Sequence, residues 1–151
     1  KWPTDTEKII MLASLSLASL LVVVTTIIHI AGISLIAMLI KKHADNWRYR
    51  HPFIRAHKIG EVVLLMFFLS LLEIAVWAGV YLMVGAIEKM ETALYFSMVT
   101  FTTLGYGDVL LDERWRLMAA IEAANGIIIF GLTTAAVVAA VQRVYFADAG
   151  G

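Results

Sequence analysis

The chain has 151 residues, 61% of them hydrophobic, and a mean hydropathy of +0.84. Soluble domains are closer to half apolar, so this composition excludes an ordinary soluble domain and predicts an integral membrane protein. The 12 basic and 12 acidic residues cancel, which gives no reason to expect a nucleic acid as partner. The absence of cysteine excludes disulfides and thiolate metal sites.

Three apolar runs are long enough to cross a bilayer, which requires about 20 residues. They cover residues 9–40, 59–87 and 117–141. The first run follows a lysine, as a signal peptide would. It is much longer than the apolar core of a signal and has no clear A-x-A cleavage site. We therefore predict that residues 1–40 form a retained transmembrane helix.

Residues 41–58 form a basic linker that fixes the predicted orientation. Its only acid is Asp45, and its basic residues are Lys41, Lys42, Arg48, Arg50, Arg55 and Lys58. By the positive-inside rule this linker is cytoplasmic. The N-terminus is then outside, the chain between the second and third runs also faces outside, and the C-terminus is cytoplasmic.

Two interpretations of the basic linker remain open. It is either a solvated segment near anionic headgroups or a regulatory lipid site, with arginines on lipid phosphates and Trp47, Tyr49 and Phe53 at the interface. Pro52 is predicted to start a helix that leads into the second apolar run.

Residues 92–102 predict a short amphipathic helix of about 16 Å, which is too short to span a bilayer and fits a re-entrant helix. Glu88 and Glu91 lie near its start, where the positive end of the helix dipole favours acids. Its carboxyl end then points into the membrane, where its partial negative charge favours a cation.

The next segment, residues 102–108, reads TTLGYGD. It resembles the selectivity filter of potassium channels, whose common form is T-(T)-V-G-Y-G-D and whose backbone carbonyls replace the hydration shell of K⁺. Glycine permits the positive φ that this backbone needs. The resemblance implies a filter at residues 103–108, with the Thr103 hydroxyl at the inner site. The residues expected to bind the ion are Thr103, Leu104, Gly105, Tyr106 and Gly107.

Large side chains near the motif are expected to support the filter. The predicted support residues are Thr102, Asp108, Tyr95, Phe96 and Val99. We define the aromatic cuff as Tyr95, Phe96 and Phe101, and expect Tyr106 to point into it. Asp108 is expected to accept a hydrogen bond from Tyr95 or Trp115.

The motif departs from the family pattern at two positions. Some potassium channels have a glutamate where Val99 stands and couple it to the filter aspartate, so that coupling is absent here. Leu104 replaces the commoner valine, which leaves the backbone carbonyl available.

Residues 114–144 predict the inner helix, and residues 125–136, NGIIIFGLTTAA, are similar to the pore-lining helix of simple bacterial potassium channels. The pore domain is therefore assigned to residues 59–144, with a tail at 145–151. Helical spacing places one stripe of residues together, which the resemblance implies lines the cavity and gate, although packing or lipid contact would fit the same spacing. The stripe comprises Ile127, Phe130, Thr134, Val138, Val141 and Gln142. Gly126 and Gly131 are candidates for a hinge or for close helix packing, and the sequence does not choose between these.

The ionisable residues His29, Glu73 and Glu122 fall within apolar runs. Each is costly in a membrane unless it finds a partner. His29 and Glu73 each lie about 18 Å from the cytoplasmic ends of their helices, so we predict a buried pair. A structural role is favoured over a pH-sensitive contact. Glu122 is expected to bond behind the re-entrant helix, to Thr102 or Ser97.

The sequence thus predicts an all-α membrane protein with three transmembrane helices, a re-entrant pore helix and a filter in each subunit. One filter strand cannot surround an ion, so four copies are required. The resemblance implies a homotetrameric channel that passes K⁺ passively, without a catalytic step, in a bacterial inner membrane, with K⁺ as the bound ion. The alternatives are a non-conducting sensor or scaffold and, less favoured, a K⁺ transporter, which would carry four pore loops in one long chain. No predicted helix has the regularly spaced arginines of a voltage sensor.

Overall fold

The computed structural model describes residues 4–47 and 52–145, and the side chains of 42–47 are not described. These residues form four helices, α1 Asp5–Trp47, α2 Pro52–Met83, α3 Met90–Phe101 and α4 Arg116–Tyr145. The long helices α1, α2 and α4 are each apolar enough to cross a membrane. The predicted all-α membrane fold is confirmed.

The helix ends differ from the predicted ones. Helix α1 continues to Trp47, beyond the predicted end at residue 40, because residues 41–47 contain no proline or glycine to stop it. The described parts of the predicted linker, residues 41–47 and 52–58, are therefore helical. Helix α2 starts at Pro52, as expected. Tyr49 and the neighbouring residues 48–51, together with tail residues 146–151, lie outside the described residues.

Helix α2 ends at Met83 instead of residue 87. Gly85 adopts a φ of 68°, and the amides of Ala86 and Ile87 both donate to the carbonyl of Tyr81, at 2.9 and 3.3 Å. This turn closes the carboxyl end of α2 and redirects the chain toward α3. The observed ends of α3 and α4 lie within two residues of the predicted ones.

Helix α3 is held between α2 and α4, and α1 packs against both of these long helices. The core lies around α3 and includes the fully buried side chains of Trp77, Tyr81, Phe101, Met118 and Ile129. The segment that follows α3 is therefore positioned by packing from two transmembrane helices.

Helix α1 turns a narrow face of small and polar residues toward the other helices. Ser14, Ala18, Thr25 and His29 are fully buried, whereas many large apolar side chains of α1 are exposed. Small residues allow helix backbones to approach closely in a membrane, and the exposed apolar side chains suit contact with lipid. Helix α1 thus packs against the other helices along one face.

Candidate functional site

The carboxyl end of α3 leads directly into the predicted filter. Thr102 caps the helix, and the Thr103 amide donates to the Thr100 carbonyl at 2.9 Å. The carbonyl of Val99 accepts hydrogen bonds from the amides of Leu104 and Gly105, at 3.0 and 3.3 Å. The first part of the filter is therefore anchored to the last turn of α3 by backbone hydrogen bonds.

The filter backbone alternates in handedness. Thr103, Gly105 and Gly107 have φ values of 62°, 54° and 75°, whereas Leu104 and Tyr106 have negative φ. Thr103 is the only residue other than glycine with positive φ in the part of the chain that the structure describes. This conformation costs about 1–2 kcal/mol for an L-residue, and such strain is typical of functional segments.

Asp108, at the outer end of the filter, accepts a hydrogen bond from the hydroxyl of Tyr95 at 2.6 Å. The structure thus selects Tyr95 from the two donors considered. This hydrogen bond lowers the pKa of Asp108 and raises the pKa of Tyr95, because it stabilises the carboxylate and retains the phenolic hydrogen. The contact ties the end of the filter to α3.

Replacing Tyr95 by phenylalanine should make the outer filter more sensitive to acid. A carboxylate with a lowered pKa contributes to stability at higher pH and loses this contribution as the pH falls through that pKa. Without the hydroxyl, the pKa of Asp108 rises, so protonation of this carboxylate should begin at a higher pH. The chemical shift of the Asp108 carboxyl carbon, measured by NMR against pH, tests this expectation, with Tyr145→Phe as a distant control. An unchanged pH dependence in Tyr95→Phe would contradict it.

The aromatic cuff is only partly formed within one chain. Phe101 is fully buried and meets Phe130 edge to face, with ring centroids 5.7 Å apart. Phe96 is also buried and meets Tyr81 in the same way at 5.3 Å. Tyr106 is 67% exposed in the single chain, so most of its ring is not covered by its own subunit, and its expected place in the cuff stays a prediction.

Glu122 joins α4 to both α2 and α3 behind the filter. Its Oε2 accepts a hydrogen bond from the Tyr81 hydroxyl at 2.7 Å, and its Oε1 shares a short hydrogen bond with the Ser97 hydroxyl. All three side chains are fully buried. The expected contact with Ser97 is present, but Thr102 instead donates to the Met98 carbonyl. Tyr81 was not predicted as a partner of Glu122, although its position two turns beyond Glu73 on the same helix was a signal.

The buried pair expected from depth is present. His29 Nδ1 lies 2.9 Å from Glu73 Oε1, and the other ring nitrogen, Nε2, lies 3.2 Å from the Thr133 hydroxyl. One turn away, the Asn125 amide donates to the Thr25 hydroxyl at 2.9 Å. Helix α1 is thus joined to α4 at two levels and to α2 at one. The spacing of Thr25 and His29, one turn apart, could have predicted this face.

Replacing either His29 or Glu73 by leucine should destabilise the fold by about 1–3 kcal/mol, because the remaining polar group is left buried without its partner. The double replacement should cost less than the sum of the two single replacements. Thermal unfolding of purified protein in detergent measures these differences. Ser16→Ala serves as control, since Ser16 is exposed and bonds only within α1. Unchanged stability in both single variants would contradict a stabilising pair.

The stripe predicted to line the cavity lies on the open side of α4. Ile127, Phe130, Thr134, Val138 and Gln142 are exposed in one chain, and Val141 is half-buried. The residues of α4 that are buried against the other helices lie on a different face and include Met118, Glu122, Asn125 and Ile129. Apart from the contact of Phe130 with Phe101, packing within the subunit therefore does not account for the stripe.

The two candidate hinge glycines have different surroundings. Gly126 is buried, and a Cβ there would overlap the carbonyl oxygen of Phe101 at the end of α3. Gly131 is exposed and has open space where a Cβ would lie. The close-packing alternative therefore applies to Gly126 and does not apply to Gly131 within one chain.

Comparison with known proteins identifies both a family and a relative of this chain. A family model described as "Ion channel" matches residues 64–143. The voltage-gated potassium channel Kch of Escherichia coli (strain K12) is 35% identical over 75 residues, which cover 47% of this chain and 18% of that protein. This chain therefore corresponds to less than a fifth of the length of that relative. No solved structure matches the chain.

Proposed function

Because this chain belongs to the ion channel family, we propose that it is a potassium-selective channel that conducts K⁺ passively across a membrane. The proposed pore is a homotetramer, the bound ions are the permeant K⁺ ions, and no catalytic step takes place. The single observation that carries the proposal is the backbone of the filter.

Positive φ at alternate residues is what a carbonyl-lined filter requires. In an extended strand successive carbonyls point to opposite sides, whereas alternation of left- and right-handed residues turns successive peptide groups to the same side. The positive φ values at Thr103, Gly105 and Gly107 fit that pattern and support carbonyl coordination by Thr103, Leu104, Gly105 and Tyr106. The Thr103 hydroxyl would complete the innermost site.

Exposed apolar groups in the single chain support assembly. Leu104 and Tyr106 are 58% and 67% exposed beside a strand that cannot surround an ion alone, and Ile127 is 62% exposed. Non-helical backbone at membrane depth is tolerated only when protein or a water-filled cavity covers it. Four copies around one axis would bring the filters together and place the exposed stripe of α4 around a central cavity and gate.

The proposed topology follows the charge distribution. The carboxyl end of α1 and the start of α2 carry basic residues such as Lys41 and Lys58, which supports a cytoplasmic position for them in the proposed bacterial inner membrane. The filter aspartate, Asp108, then faces outside. Anionic lipids are the partners expected at the basic end.

Reconstitution tests the proposal directly. Liposomes that contain the purified protein should release K⁺ down a K⁺ gradient when a protonophore, without valinomycin, balances the charge that leaves with K⁺. Na⁺ should pass far more slowly. Native mass spectrometry should find four chains per particle. Tetramers that give no K⁺-selective flux would contradict the channel and favour a sensor or scaffold, and uphill K⁺ accumulation driven by a second ion would favour a transporter.

A further inference from the structure

We infer that Glu122 is held as a neutral carboxylic acid and that, in this form, it is a positioning residue for α3 and hence for the filter. The inference deepens the proposed channel function and rests on it for its effect on ion flux. The protonation state itself rests on the hydrogen bonds around Glu122.

The number of hydrogens available to the hydrogen bonds behind α3 indicates that the Glu122 carboxyl group carries a proton. The Ser97 hydroxyl has one hydrogen to donate but contacts two oxygens, the Ile74 carbonyl at 2.9 Å and Glu122 Oε1. The carbonyl can only accept. If Ser97 donates to it, the hydrogen between Ser97 and Glu122 must come from the carboxyl group. Tyr81 supplies the hydrogen for Oε2. With a neutral Glu122, every contact therefore has one hydrogen. With an ionised Glu122, one of the two contacts of Ser97 has no hydrogen.

The surroundings of Glu122 also disfavour an ionised group. The side chain is fully buried within a transmembrane helix. Of the ion pairs found in residues 4–47 and 52–145, none involves Glu122. An isolated carboxylate in an apolar interior is costly, and the group takes up a proton instead.

The same contacts connect Glu122 to the filter. Ser97 lies two residues before Val99, whose carbonyl accepts from the Leu104 and Gly105 amides. Tyr81 packs edge to face on Phe96 of α3. Val99 has no carboxyl group with which to support the filter, and Glu122 of α4 supplies one to α3 on the side away from the filter. A shift of Glu122 would move the turn that anchors the filter.

Replacing Glu122 by glutamine or by leucine distinguishes a neutral carboxylic acid from an ionised carboxylate at this position. Glutamine has nearly the same shape and offers an N–H to Ser97 and a carbonyl to Tyr81, so Glu122→Gln should keep K⁺ flux and selectivity within about twofold of the original protein. Glu122→Leu, which offers neither, should reduce flux about tenfold or weaken selectivity against Na⁺. Tyr81→Phe removes one donor without a large change in volume and should cause a smaller loss. Exposed Glu113→Leu is the control.

Infrared spectroscopy supplies a readout that is independent of conduction. The original protein should show the carbonyl stretching band of a buried, protonated carboxylic acid, and Glu122→Gln should lose it. Loss of flux in Glu122→Gln as large as in Glu122→Leu, or the absence of that band, would overturn the inference. If the original tetramers pass no K⁺, the proposed function fails, while the infrared result still decides the state of Glu122.

Discussion

Replacing Gly105 by alanine is expected to abolish K⁺-selective flux. Gly105 has a φ of 54°, and a Cβ in this left-handed region costs about 1–2 kcal/mol for each residue. In a tetramer the cost would apply to four strands at once. Alanine would favour negative φ, which would turn a carbonyl away from the ions. Measurement of K⁺ and Na⁺ efflux from liposomes tests this result.

Gly79→Ala is the matched control for that experiment. A Cβ would meet no atom within 4 Å at either glycine, so crowding inside the subunit does not distinguish them. Gly79 lies within helix α2 and has no positive φ, where alanine is favoured over glycine by about 0.5–1 kcal/mol. Gly79→Ala should therefore conduct normally. Original selectivity and flux in Gly105→Ala would contradict the role given to the backbone of this residue.

The filter was predictable from sequence because its chemistry is local. Seven consecutive residues carry the need for positive φ, and the charge of residues 41–58 independently predicts their orientation in the membrane. The recognition of a potassium channel pore-domain family is confirmed by the family match over residues 64–143 and by the relative from Escherichia coli. The predicted roles of single filter residues stay predictions until ion flux is measured.

The depth of a residue in the membrane was also predictable, since each residue of a helix advances by a constant distance along the helix axis. That regularity was enough to pair His29 with Glu73 across two helices. It was not enough to find Tyr81 as the second partner of Glu122, because the rotation of α2 about its own axis depends on how three helices pack together. The second contact of His29, to Thr133, required the position of α4 and was missed for the same reason.

Helix ends were predicted less well because an apolar run reports where a helix crosses a membrane, not where its hydrogen bonds stop. Helix α1 therefore extends past residue 40 into polar sequence. At α2 the apolar pattern runs on to residue 87, but the backbone bonds to the Tyr81 carbonyl end the helix at Met83. The surroundings of Tyr106 could not be predicted from one chain, because in the proposed tetramer its neighbours belong to other subunits.

Replacing Gly126 by alanine is expected to destabilise the tetramer and the pore. The new Cβ would overlap the carbonyl oxygen of Phe101, which is backbone and cannot rotate aside as a side chain would. Overpacking of a buried site costs about 1–3 kcal/mol, here in every subunit. Helix α4 would have to move away from the carboxyl end of α3, where the filter begins. Thermal dissociation of the tetramer and K⁺ flux should both show the loss.

Gly131→Ala separates close packing from hinge motion, the two roles that the sequence left open. Gly131 lies five residues beyond Gly126 along α4 and has open space where a Cβ would lie. Alanine stabilises a helix there by about 1 kcal/mol relative to glycine. If Gly126 serves packing, Gly126→Ala should lower tetramer stability while Gly131→Ala leaves it unchanged or raised. A hinge at Gly126 would instead alter the opening of the pore without loss of stability. Tetramers of Gly126→Ala that dissociate at the original temperature would therefore contradict the packing role and would favour a hinge at Gly126.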